Sequence, residues 1–216
     1  MCRRPPRPPR SAVPAPSLPL IVCFGDSLTA GFQSPTPDCP DVLETPYGRY
    51  LEDHLRGRAH IHVSGICGEL AADMVRRFAR DVLSHRPAWT VILGGTNDLG
   101  WERKPSGIIR QLTAMYEQAA AAGVGPVAVT VPSIRGFDDH IARRRELNEL
   151  IAGYCVDRAL PCVDLFAATA EPETGRLALP YSNDGLHLTT AGYELLARLL
   201  YEQVFANRFE PERECP

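Results

Sequence analysis

From Leu20 onward, short apolar runs alternate with longer segments in which apolar residues return every three or four positions. The short runs are Leu20–Phe24, Ile61–Val63, Thr90–Leu93, Val127–Val131 and Pro161–Val163. They are rich in β-branched residues, mostly continuous in their apolarity and bounded by Gly or Pro, which predicts strands covered on both faces. Between them the spacing predicts helices. Over Glu69–His85 the positions Ala71, Met74, Val75, Phe78, Ala79 and Val82 share one stripe, and Pro87 follows its end. Pro105–Ala122 forms a second helix, stopped by Gly123. In Asp138–Ala159 the stripe is Leu147, Leu150, Ile151, Tyr154 and Cys155, with Arg143, Arg144 and Arg145 assigned mainly to the wet side. The last helix, Thr189–Ala206, buries Leu195, Leu196, Leu199, Leu200 and Val204. Alternating strands and helices in one domain predict a mostly parallel five-stranded sheet with helices on both faces. Ligands of such sheets bind beyond the carboxyl ends of the strands, so a site residue should follow a strand.

Length and composition narrow the class. The chain has 216 residues, 44% of them hydrophobic, enough for one domain with a substantial core. No apolar run approaches the roughly 18 residues of a membrane span, so stable membrane insertion is not expected. A net charge of −3 favours neither nucleic acid nor an anionic surface. The charge is uneven: the first ten residues carry Arg3, Arg4, Arg7 and Arg10 and no acid. This Pro/Arg-rich opening cannot fold by burial and is expected to be a disordered tail over residues 1–19, ahead of a folded domain at 20–207 and a short C-terminal tail at 208–216. It lacks the apolar core of a signal peptide. The seven cysteines show no CxxC spacing, and Cys23, Cys155 and Cys162 sit inside apolar stretches. They are expected to be buried reduced thiols, with Cys39 the most exposed, and the cytoplasm is the expected compartment.

Four segments carry polar chemistry at strand ends or helix starts. Gly25-Asp26-Ser27 ends the first strand; Ser27 reads either as a helix N-cap or as a nucleophile that needs a base and a third group to orient it. In Asn183-Asp184-Gly185-Leu186-His187-Leu188-Thr189, an aspartate and a histidine lie three apart across a glycine. A short turn can fold that carboxylate back onto the imidazole, although either residue also suits a helix start. Gly94-Gly95-Thr96-Asn97-Asp98 follows another strand and offers the Asn97 amide as a hydrogen-bond donor or as a turn residue. Ser64-Gly65-Ile66-Cys67-Gly68-Glu69 opens a helix, where the Gly68 N–H can face an anion or simply turn the chain.

With these four blocks in order, FGDSLTAG, GICGEL, GGTND and DGLHLT, residues 20–207 closely resemble the SGNH (GDSL) hydrolase superfamily of lipases, esterases and acyl-ester deacetylases. The resemblance implies a three-layer α/β/α sandwich of flavodoxin-like type. It implies Ser27 as nucleophile, His187 as general base, Asp184 as its partner, and the Ser27 and Gly68 N–H groups with Asn97 as oxyanion donors. Asp26 and Asp98 are then structural neighbours. The second block departs from the family: Ser64 stands where many relatives have Asn, and Glu69-Leu70 where Asp-Thr is common. The implied reaction is acyl transfer from a small-molecule ester to water, with no metal or organic cofactor. Segments Phe32–Pro46 and Trp101–Gly107 flank two blocks and are expected to wall the pocket, with Phe32 and Trp101 as apolar contacts. Short acyl groups are expected; monoesters, acetylated sugars, lysophospholipids and thioesters all fit. The rival readings are a metal-dependent phosphoesterase using Asp26, Asn97, Asp98, Asp184 and His187, a flavin- or phosphate-binding module with SLTAG as its loop, and a non-catalytic binding protein.

Overall fold

A computed structural model describes residues 18–209. The Pro/Arg-rich opening to residue 17 and the last seven residues, with Cys2 and Cys215, lie outside them. Five parallel strands form the sheet: β1 (Leu20–Gly25), β4 (His60–Gly65), β5 (Trp89–Leu93), β6 (Gly125–Val129) and β7 (Cys162–Val163). A small antiparallel pair, β2 (Phe32–Gln33) and β3 (Leu43–Glu44), stands apart from it. The helices are α1 (Ser27–Ala30), α2 (Tyr47–Leu55), α3 (Ala71–Asp81), α4 (Thr96–Gly100), α5 (Pro105–Ala121), α6 (Ile141–Arg158), α7 (Leu165–Thr169) and α8 (Thr190–Leu200).

The spatial order β4-β1-β5-β6-β7 is the flavodoxin order of an open α/β sheet. The chain leaves β1 for β4 on one side and then crosses to β5 on the other, so the switch point lies where β1 ends at Gly25. Alternate residues of β1 feed two cores. Ile21 and Cys23 pack with Tyr47, Leu51, Leu196 and Leu200 under α2 and α8. Val22 and Phe24 pack with Met74, Phe78, Leu112 and Ile151 under α3, α5 and α6. Each such side chain stabilises the fold by about 1.5–3 kcal/mol on burial. Three layers result, as the alternation predicts.

Several local expectations are corrected. β4 is an edge strand whose His60 and His62 are exposed, so it is covered on one face only. β6 ends two residues before the expected Val131, because the Asn148 side chain takes the place of a neighbouring strand there. Its Oδ1 accepts from the Val131 N–H at 2.8 Å and its Nδ2 donates to the Val131 carbonyl at 2.9 Å. α2 was not expected: its buried Tyr47, Leu51 and Leu55 recur only every fourth residue, a narrow stripe that begins behind Pro46. Ala79 is exposed on α3, and Leu150 is exposed on α6. Arg144 is not on the wet side. It shares the i, i+3, i+4, i+7 face of Leu147, Asn148 and Ile151 and is 1% exposed. Cys23 and Cys155 are buried free thiols and Cys162 is half-buried, but among the described residues the most exposed thiol is Cys67, with Cys39 half-buried.

Candidate active site

Ser27 is the first residue of α1, immediately beyond β1. Gly25 is forced here by space, since a Cβ would lie 2.1 Å from the Leu93 carbonyl oxygen on the neighbouring strand. The N-cap is Asp26, whose Oδ1 accepts from the Leu28 N–H at 3.0 Å. That leaves the Ser27 hydroxyl free of capping duty, and it lies 3.1 Å from His187 Nε2.

His187 stands just before α8. Gly185 turns the chain at φ 83°, and the loop folds back so that Asp184 Oδ2 lies 2.7 Å from His187 Nδ1. Asp184 Oδ1 accepts the N–H groups of Leu186 and His187, both at 2.8 Å. Ser34 Oγ also donates to Asp184 Oδ2. Burial alone raises the Asp184 carboxyl, yet these hydrogen bonds outweigh it and hold the group well below the usual carboxylate range. An ionised Asp184 fixes a proton on Nδ1 and leaves Nε2 as an acceptor toward Ser27. Ser34 is delivered by β2: Gln33 bonds Thr45 and Thr190, tying the small hairpin to the start of α8. The Phe32 ring packs on the imidazole at 4.5 Å between centroids.

On the other side, Gly68 (φ 77°) faces open space, and among the described residues neither its N–H nor that of Ser27 donates to a protein acceptor. Asn97, the second residue of α4, donates from Nδ2 to the Glu69 carbonyl at 3.0 Å, with Asp26 Oδ2 at 3.4 Å. Asp98 caps α3 by accepting the Ala71 N–H at 2.9 Å. Burial pushes the Asp26 carboxyl up to about 7, against the opposing Leu28 N–H and His187.

The Ser64–Glu69 turn is organised by Arg77 of α3, which the sequence reading passed over. The Arg77 and Glu69 side chains are only 6% and 7% exposed. Arg77 grips Glu69 with Nε and Nη2 at 2.6–2.8 Å. It also donates to Ser64 Oγ at 2.6 Å, to the Gly25 carbonyl at 2.9 Å and to Asp81 at 3.1 Å, while its guanidinium lies 4.1 Å above the Phe24 ring. Ser64 and Glu69, where the second motif block departs from the family, are therefore two partners of one buried arginine. The signal available beforehand was an arginine inside the Met74–Phe78 apolar stripe.

Ser27, Phe32, Gly68, Asn97 and His187 line one pocket of about 240 Å³, with Cys67 and Leu186 beside them. Trp101 does not reach it. It lines an adjoining cavity of about 400 Å³ that shares Asn97 and Leu186 with the first. A larger cavity, about 550 Å³, lies at the far edge of the sheet around Cys155 and Cys162 and contains none of the motif residues. Among the described residues, no three His, Cys, Asp or Glu converge as a metal site, and no helix is long and apolar enough to cross a membrane.

Residues 23–195 match the sequence model of the GDSL-like lipase/acylhydrolase family. Over 128 residues the chain is 32% identical to the uncharacterized lipoprotein YqeF of Bacillus subtilis (strain 168), covering 56% of this chain and 51% of that protein. It thus spans about half the length of the curated relative it matches. Among solved structures it is similar to the lipase/acylhydrolase from Enterococcus faecalis (TM-score 0.74, 24% identity, 91% of this chain and 100% of that one). It is also similar to a carbohydrate acetylesterase from Sinorhizobium meliloti (TM-score 0.70, 20% identity, 88% and 99%). At these identities the structural likeness establishes the fold.

Proposed function

The chain belongs to the GDSL-like lipase/acylhydrolase family, a family of carboxylic ester hydrolases, and on that premise we propose that it is a serine esterase working through Ser27, His187 and Asp184 on short-chain acyl esters. The observation that carries the reading is the unbroken relay from Asp184 Oδ2 through the imidazole to Ser27 Oγ, with contacts of 2.7 and 3.1 Å.

In this mechanism Ser27 Oγ attacks the ester carbonyl carbon as its proton passes to His187 Nε2. Asp184 holds the imidazole in the required tautomer and stabilises the imidazolium. The oxyanion is received by the free N–H groups of Ser27 and Gly68 and by Asn97 Nδ2. One hydrogen of that amide is fixed by the Glu69 carbonyl, so the amide plane is set before substrate arrives. His187 then gives its proton to the leaving alkoxide. A water next attacks the acyl-enzyme as His187 takes its proton, and His187 returns that proton to Ser27 Oγ as the acid departs, regenerating both groups. His187 must be unprotonated at the start of each half-reaction to accept the proton. A pocket of about 240 Å³ supports a small acyl group. Acetylated sugars and short thioesters fall within that reading.

The test is hydrolysis of 4-nitrophenyl acetate, butyrate and octanoate by wild type and Ser27→Ala. Ester turnover falling about 10⁶-fold in the variant, with acetate or butyrate preferred, supports the proposal. Equal rates from the two proteins would remove Ser27 from the mechanism.

A further inference from the structure

We propose that the cavity beside the Ser27 pocket is a subsite for a carboxylate carried by the ester substrate, anchored by Arg144. The inference rests on the esterase reading of Ser27 and deepens it by naming a feature of the substrate.

Trp101, Ile134, Phe137 and Leu186 give the cavity apolar walls, and its polar lining includes His140 and Arg144. Asn97 and Leu186 belong to both cavities, so a group held here is attached to an ester whose carbonyl lies at Ser27. Trp101 and Phe137 are 72% and 67% exposed. Large aromatic rings left in water beside a reaction centre are surfaces awaiting a partner.

Arg144 sets the chemistry. Only 1% exposed, it spends Nη1 on the Pro132 carbonyl at 2.9 Å, and its buried Nε has no acceptor. No carboxylate of the described residues forms an ion pair with it; Asp26 acts on it only through space. Burial draws its pKa down to about 10, which leaves it cationic at neutral pH. A buried cation lacking a contacting anion is costly, and a carboxylate seated in the cavity that Arg144 lines supplies the missing charge.

The location reinforces the sign. Arg144 lies in the first turn of the 18-residue α6, and His140 is its N-cap position, with no side chain capping the helix. A cation is usually disfavoured at a helix N-terminus, since the dipole there is already positive. Here both contributions favour an anion in the same cavity. Apolar walls around such a cation select a compact, partly aromatic or aliphatic body that ends in a carboxylate.

The experiment compares kcat/KM within two pairs of esters. Mono-4-nitrophenyl succinate against 4-nitrophenyl butyrate places the charge on the acyl side; 4-acetoxybenzoate against phenyl acetate places it on the alcohol side. The expected result is at least a tenfold preference for the anionic member of one pair, with that ratio falling at least tenfold in Arg144→Met. Benzoate should raise the wild-type melting temperature more than benzamide does, a readout that needs neither a folded variant nor turnover. Preference for the neutral member in both pairs, or equal shifts with benzoate and benzamide, would overturn the subsite. An active wild type with either of those results sinks only the subsite. A Ser27→Ala variant as active as wild type sinks the esterase reading itself.

Discussion

On one side of Ser27, Asp184 and His187 stand three residues apart in a single turn, partly exposed, with the aspartate held by backbone N–H groups of that same turn. On the other side, Gly68 and Asn97 follow two different strands, and the Ser64–Glu69 turn that carries Gly68 is tied to β1 and β4 by Arg77 from inside α3. The first side is mainly a local object, with Ser34 on the Asp184 carboxylate and the Arg135 N–H on the Gly185 carbonyl as its ties to the rest of the fold. The second exists only once the sheet has assembled. Substitutions on the base side should therefore remove activity and spare the fold, whereas those on the oxyanion side should damage both.

The largest contrast is expected from His187→Ala. Loss of the base costs about 10⁶-fold in kcat, by analogy with single removals in a serine triad. The melting temperature should stay close to wild type, because the imidazole is partly exposed and bonded only to Asp184 and Ser27. Thermal melts run beside the kinetics check this; a variant that also unfolds would break the distinction.

Arg77→Met comes next. It leaves Glu69 buried without its partner, a loss of about 3–5 kcal/mol readable as a lower midpoint in urea. Activity should fall as well, since the Glu69 carbonyl orients Asn97. Arg77→Lys should recover little, because one ammonium cannot replace a fork that reaches Glu69, Ser64 and Gly25 together. Adding Glu69→Gln to Arg77→Met should restore stability in part.

The smallest effect separates the two aspartates. Asp26 is raised to about 7, so its proton is held more tightly in the folded protein than in the unfolded chain, and its contribution to stability is lost as pH rises through that value. Asp184 is depressed, so its contribution is present above the ordinary carboxylate range and is lost only in acid. Asp26→Asn should therefore gain stability relative to wild type as pH rises from about 5 to 8. Urea titrations at both pH values read the difference. A gap between the two proteins that does not change with pH would contradict the raised Asp26.

The same local–nonlocal contrast explains what was legible beforehand. Strands β1 and β5 announce themselves as continuous apolar runs because both faces are covered. The Asp184–His187 turn is visible as a spacing because its partners are three residues apart. Arg77 and Glu69 are eight residues apart across a helix start, and nothing in that spacing separates a buried fork from a solvated pair. Arg144 follows an arginine and precedes another, so its inward direction shows only when it is grouped with Leu147 and Ile151. Ser34 reaches Asp184 across 150 residues of sequence, a contact created by the hairpin's attachment to α8. The two cavities were invisible for the same reason: Phe32 and Trp101 lie in segments that flank two motif blocks, and only the fold assigns them to different compartments.

The central claim is that Ser27 is a hydroxyl activated by His187. The direct measurement is reaction of the intact protein with a fluorophosphonate, followed by mass spectrometry and peptide mapping. One equivalent of phosphonate on Ser27, formed slowly in His187→Ala and absent in Ser27→Ala, is the predicted result. Labelling at Ser27 at the same rate in wild type and His187→Ala, or no labelling of Ser27 at all, would contradict it.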